Sequence, residues 1–173
     1  ADVIILWGIN MLSTSMHHSR FVIEAIKKGA SFVVIDPIKT RTAKRAHVHL
    51  RPKPGTDVVL AMAIANYLIQ ENLADSEYIS KYTIGFEDFT ERAQLFNLNF
   101  AAKITGIPMS QIRDLALLIS KYKAVAIRTG VALERTANGG DAVRAIASIP
   151  ALIGAWTVPG GGMFQHPQST FPI

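Results

Sequence analysis

Two aspartates bracket a run of cations. Asp36 closes the apolar run Ser31 to Ile35, and the next carboxylate along the chain is Asp57. Between them stand Lys39, Arg41, Lys44, Arg45, Arg51 and Lys53, six fixed positive charges with no negative one. An ionised carboxylate only accepts hydrogen bonds, whereas Lys and Arg only donate them. A ligand that meets both must offer N–H or O–H donors at one end and an anion at the other. A nucleotide has this character: Asp36 and Asp57 would take donors from ribose and a guanine edge, while Lys39 or Arg41 faces the phosphates. Two further stretches have the composition of ligand loops. In "WGINMLSTS", Gly8 lets backbone approach a ligand closely, and the hydroxyls of Ser13, Thr14 and Ser15 ahead of a helix start suit a phosphate. In "RTGVALERTANGG", a strand gives way to a glycine-containing loop.

Plainer readings of the same residues stand beside these. Asp36-Pro37 reads as a turn starter and Asp57 as a helix N-cap. The basic run reads as a solvated face, and the Arg135 to Gly140 loop needs no ligand at all. The first loop lacks GxGxxG, so ordinary NAD binding is not indicated. His17 and His18 are adjacent and His47 and His49 are two apart, spacings that do not make a metal site. Tyr67, Phe86 and Phe89 read as core.

Composition narrows the classes further. The chain has 173 residues, 49% of them hydrophobic and 18% charged, as in a globular domain with a sizeable core. Its formal charge is +5, yet without residues 37 to 56 twelve basic side chains face thirteen acidic ones. The excess is local, which points to one anionic ligand more than to a surface laid along nucleic acid. Without cysteine, the chain holds no disulfide, thiolate metal site or iron–sulfur cluster. Its charge-free stretches, Val58 to Gln70 and the region after Ala145 that Pro150, Gly154 and Pro159 interrupt, are too short or broken for a membrane helix. The absence of an initiator methionine, a start on a strand-like run and a finish in a loop read as a piece of a longer protein.

The elements that must position these residues follow from periodicity. Val3 to Trp7 is a continuous apolar run, as expected for a parallel strand buried on both faces. The segment "HHSRFVIEAIKKG" predicts a helix with Phe21, Ile23, Ala25 and Ile26 inward and Gly29 as its stop. Ser31 to Ile35 is the next strand, which completes a βαβ unit. "TAKRA" suits a turn of helix and "HVHLR" a short strand. Thr56 or Asp57 caps a helix to about Asn72 that is apolar or small nearly all round, and so lies deep. Residues 75 to 122 read as helical pieces, Ala124 to Arg128 as a strand, and about Gly140 to Gly154 as a helix kinked by Pro150. The alternation predicts an α/β fold: an open, mostly parallel Rossmann-like sheet with helices on both faces, its ligand at the strand C-terminal ends. The domain is expected over residues 1–158, with 159–173 a loop leading into a following domain.

The segments "WGIN" after a strand, "IDPIKTRTAKRAHVHLRPKPGTD" before an apolar helix, and "RTGVALERTANGGDAVRAIASIPALIGAWTVPGGG" together resemble the molybdopterin oxidoreductases of the dimethyl sulfoxide reductase type. The resemblance covers almost the whole chain. It implies a domain that holds one of two molybdopterin guanine dinucleotides in a large molybdenum or tungsten enzyme. By matching positions it implies that Trp7, Gly8, Asn10 and Met11 line the pyrophosphate and nucleotide approach. Ile35, Asp36, Pro37 and Lys39 would contact the nucleotide. Gly55, Thr56 and Asp57 would close on guanine, and Gly130, Val131 and Arg135 would approach the pterin. The chain departs from the pattern at Ile38, where many relatives have a base, at His47, where they often have an acid, and at Arg135, where some carry Gln. The resemblance places the metal ligand and the iron–sulfur segment upstream, so no catalytic or metal-ligating residue is expected here and the piece alone would be inactive. Its implied partners are other domains of the same polypeptide and an iron–sulfur electron-transfer subunit, with no nucleic acid and no membrane contact. A central domain of a thiamine-diphosphate-type enzyme, or a bare α/β scaffold, would share this sheet.

Overall fold

The computed structural model describes residues 1–165. Five strands form one sheet: β1 Val3–Trp7, β2 Ser31–Ile35, β3 Val48–Leu50, β4 Val125–Thr129 and β5 Gly162–Phe164. Their order is β3-β2-β1-β4-β5, and every neighbouring pair is parallel. Trp7 lies in register with Ile35 on one side and Thr129 on the other. From β1 the chain steps towards β2 and β3; later it steps the opposite way, from β4 to β5. The strand order therefore reverses between β1 and β4, where the carboxyl ends leave a crevice.

Pleating sorts β1 between two cores. Val3, Ile5 and Trp7 join one apolar cluster, Ile4 and Leu6 the other, and the strand is buried throughout. The larger cluster is closed by the long connection between β3 and β4. Its helices are α3 Asp57–Gln70, α4 Ser76–Tyr82, α5 Phe86–Ala93, α6 Leu98–Thr105 and α7 Met109–Ser120, and α8 Gly139–Leu152 packs on the same face. As the sequence predicts, α3 lies deep: Leu60, Ile64, Ala65 and Leu68 are wholly buried, between α7 and α8. The second face is covered by α1 Met11–Thr14, α2 Met16–Lys27 and the turn Ala43–Arg45.

Two expectations change. Phe21 was expected to face the core, but it is 66% exposed and Val22 points inward instead. Helix α2 turns Val22 into the cluster with Ile4 and Leu6 of β1 and Phe32 and Val34 of β2, while Phe21 lines an open cavity beside the half-buried Ala126 and Arg128 of β4. Residues 162–164 lie within the expected C-terminal loop, yet they pair with β4 as an edge strand. Residues 166–173 lie outside the described residues. Pro150 stands inside α8, two residues before its end.

Candidate functional site

The crevice between β1 and β4 is a cavity of about 470 Å³ lined by Gly8, Asn10, Asp36, Gly130 and Val131 together with Ser15 and Arg128. Backbone packing explains the two glycines. Gly8 has φ +65°, a conformation that disfavours side chains, and a Cβ on Gly130 would fall 2.0 Å from the Gly8 carbonyl oxygen. The two strand ends therefore touch through bare backbone, and the crevice mouth presents peptide groups.

Asn10 is held by the chain that follows β2. The buried Thr42 hydroxyl donates to Asn10 Oδ1 at 2.7 Å and accepts from the Leu12 amide at 3.0 Å. Asn10 Nδ2 in turn donates to Ser13 Oγ. Asp36, at the end of β2, does start a turn: its Oδ1 accepts from the Ile38 amide at 2.8 Å. It is half-buried and lines the crevice.

Asp57 is the first residue of α3, with Thr56 at the N-cap, so it is not the cap itself. It is 8% exposed, and its Oδ1 accepts a 2.7 Å hydrogen bond from the Trp7 indole N–H. Burial pushes its carboxyl above the ordinary carboxylate value; the Trp7 hydrogen bond opposes this, and the negative charge of Asp36 adds to it. The two carboxylates are thus within electrostatic reach of one another. Behind Asp57, Asn138 Nδ2 donates to the Gly55 carbonyl at 3.1 Å and ties the loop after β4 to the start of α3.

The structure treats the residues named from sequence unequally. Gly8, Asn10, Asp36, Gly130 and Val131 line the cavity together. Trp7, Met11 and Ile35 are about 1% exposed, so their side chains belong to the core and only their main chain faces the strand ends. Pro37, Lys39, Gly55, Thr56, Asp57 and Arg135 lie outside the cavity, Asp57 buried behind it. Lys39, Arg41, Lys44, Arg45, Arg51 and Lys53 are all exposed, and among the described residues none of them forms an ion pair. The sequence alone does not single out Arg128, Thr129 or Thr42 as site residues. Arg128 carried a signal, a lone charge inside an apolar strand run; Thr42 carried none. Among the described residues there is no cluster of three or more potential metal ligands and no helix long and apolar enough to cross a membrane.

Comparison with known proteins matches residues 1–168 to the family model for the molybdopterin oxidoreductase domain. The chain is 40% identical over 162 residues to a probable oxidoreductase, YoaE, of Bacillus subtilis, covering 94% of this chain and 24% of that protein. It is 30% identical over 162 residues to formate dehydrogenase H of Escherichia coli, covering 94% of this chain and 23% of that one. Among solved structures, acetylene hydratase from Pelobacter acetylenicus superposes with a TM-score of 0.84 at 28% identity, over 89% of this chain and 21% of its own. The chain thus spans about a quarter of the length of the relatives it matches.

Proposed function

This chain belongs to the molybdopterin oxidoreductase family, and from that premise we propose that it is the α/β domain that holds one molybdopterin guanine dinucleotide of a larger molybdenum or tungsten oxidoreductase. The observation that carries the reading is Asp36 at the end of β2 in a glycine-lined crevice at the β1–β4 switch, with the buried Asp57 at the start of α3 within its electrostatic reach. Guanine presents N1–H and an exocyclic amine along one edge, and a carboxylate is the acceptor for that pair. One oxygen of Asp57 is engaged by Trp7, which sets the orientation of the carboxylate. Asp36 keeps one oxygen outside its turn for a ribose hydroxyl. The bare backbone at Gly8 and Gly130 suits the close approach of a diphosphate. The bound pterin and metal would supply the redox chemistry, while this chain's residues bind and orient the nucleotide end. In this reading the chain has no reacting side chain of its own. Its partners are the other domains of the parent polypeptide and an iron–sulfur electron-transfer subunit.

Titration of GDP and ADP into the apo-protein tests the reading. The expected result is a preference for GDP that Asp57→Asn reduces by about tenfold to a hundredfold, as loss of a charge-assisted acceptor implies. A preference that survives the substitution, or no preference at all, would sink it. The full-length enzyme should also release guanine nucleotide and molybdenum or tungsten on acid denaturation.

A further inference from the structure

Building on that dinucleotide reading, we propose that Arg128, Ser15 and the N-terminus of α2 form the seat of one phosphate group, in place of the exposed cations after β2. Arg128 is carried on β4 between the buried Ile127 and Thr129, and is itself half-buried. Its Nη2 donates to Ser15 Oγ at 3.2 Å. Among the described residues no carboxylate lies within ion-pair distance of it, since the ion pairs there are Arg20–Glu24, Arg113–Asp114 and Lys123–Asp75. A guanidinium drawn half out of water without an anion is unfavourable, and it retains N–H donors in a fork that matches a phosphate.

Three independent features converge on the same point. Ser15 is the N-cap position of the twelve-residue helix α2, yet its side chain makes no capping bond and its oxygen accepts from Arg128. The first turn of α2 contains no acidic residue, so the leading amides and the positive end of the dipole of a helix that starts next to the cavity-lining Ser15 have no built-in counter-charge. Thr129, 1% exposed, lines the same cavity, and its hydroxyl has no hydrogen-bond partner. His18, one turn into α2, is held below the ordinary imidazole value by burial and secondarily by Arg128. At neutral pH the arginine therefore supplies the charge. Lys39 and Arg41, by contrast, are exposed and outside the cavity.

Calorimetric titration of the apo-protein with inorganic pyrophosphate, GDP and guanosine separates the phosphate seat from the nucleoside site. Arg128→Gln is expected to weaken pyrophosphate and GDP by about tenfold or more while leaving guanosine at its wild-type affinity, and Arg128→Lys should recover part of the loss. Ser15→Asp sets a carboxylate against Arg128 and at a favoured N-cap position, so it preserves the fold while abolishing pyrophosphate binding. Unchanged pyrophosphate and GDP affinities in Arg128→Gln, or wild-type pyrophosphate binding in Ser15→Asp, would overturn the seat. So would a loss of guanosine binding equal to that of GDP in Arg128→Gln. Asp57→Asn is the companion: it should lose guanosine and keep pyrophosphate. If pyrophosphate depends on Arg128 but guanosine does not depend on Asp57, the seat stands and the dinucleotide reading falls. The opposite pattern removes the seat alone.

Discussion

Trp7 and Asp57 stand fifty residues apart, and their hydrogen bond joins the end of β1 to the start of α3. The family resemblance implies that Trp7 lines the approach to the nucleotide. The pleat instead turns its ring into the larger core, and the indole N–H acts through Asp57. The carboxylate that results is oriented but poorly solvated, and this has a cost in the free protein. With its folded value raised above 3.8, Asp57 favours the fold most when protonated. That contribution is complete below the unfolded value and is lost as pH rises through the folded one. Asp57→Asn does not titrate and keeps an oxygen for Trp7. It should therefore be more stable than wild type at pH 7, with the difference shrinking as the pH falls towards 3.8 and below. Thermal unfolding across that range checks this, and a difference that does not vary with pH would contradict it. Loss of guanine preference alongside a gain in stability is the signature of a residue kept for binding.

Among the elements, the β1–β4 junction is the tightest constraint on the site. Gly130 leaves no room for a side chain against the Gly8 carbonyl, and the contact keeps the crevice floor narrow. Gly130→Ala must push the strand ends apart, at roughly 1–3 kcal/mol as for other overpacked positions. A lowered urea midpoint with an unchanged slope is the expected result. The strands β1 and β2 and the deep helix α3 were legible because long apolar runs have few other solutions. The inward face of α2 was less so. Phe21 and Val22 are adjacent and both apolar, and which one is buried depends on how far the helix extends across the sheet. Strand β5 carried almost no local signal. Three residues, one of them glycine, become a strand only because β4 offers an open edge.

At the scale of the whole molecule, α3 packs against α5, α6, α7 and α8, and the cluster it anchors includes β1, β2 and β4. No helix of the long β3–β4 connection buries its apolar face apart from this shared core, so the chain should unfold as one unit. In a Trp156→Phe background, fluorescence reports the buried Trp7 alone, and its urea transition should coincide with the loss of helical circular dichroism. Separated transitions would show that the helical layer melts apart from the sheet. The fold class was legible in the residues themselves, because a period of two or 3.6 in apolar residues is a local property that any chain folding around a core must satisfy. So were the glycine turns and the pair of aspartates around a cationic run. Only tertiary structure decided which charges the site contains. The cations next to Asp36 in sequence turn outward, whereas Arg128 comes to Ser15 from 113 residues away. Proximity across a sheet is set by strand order and pleat direction, which depend on every element packed against the strands and leave no mark on the residues they bring together.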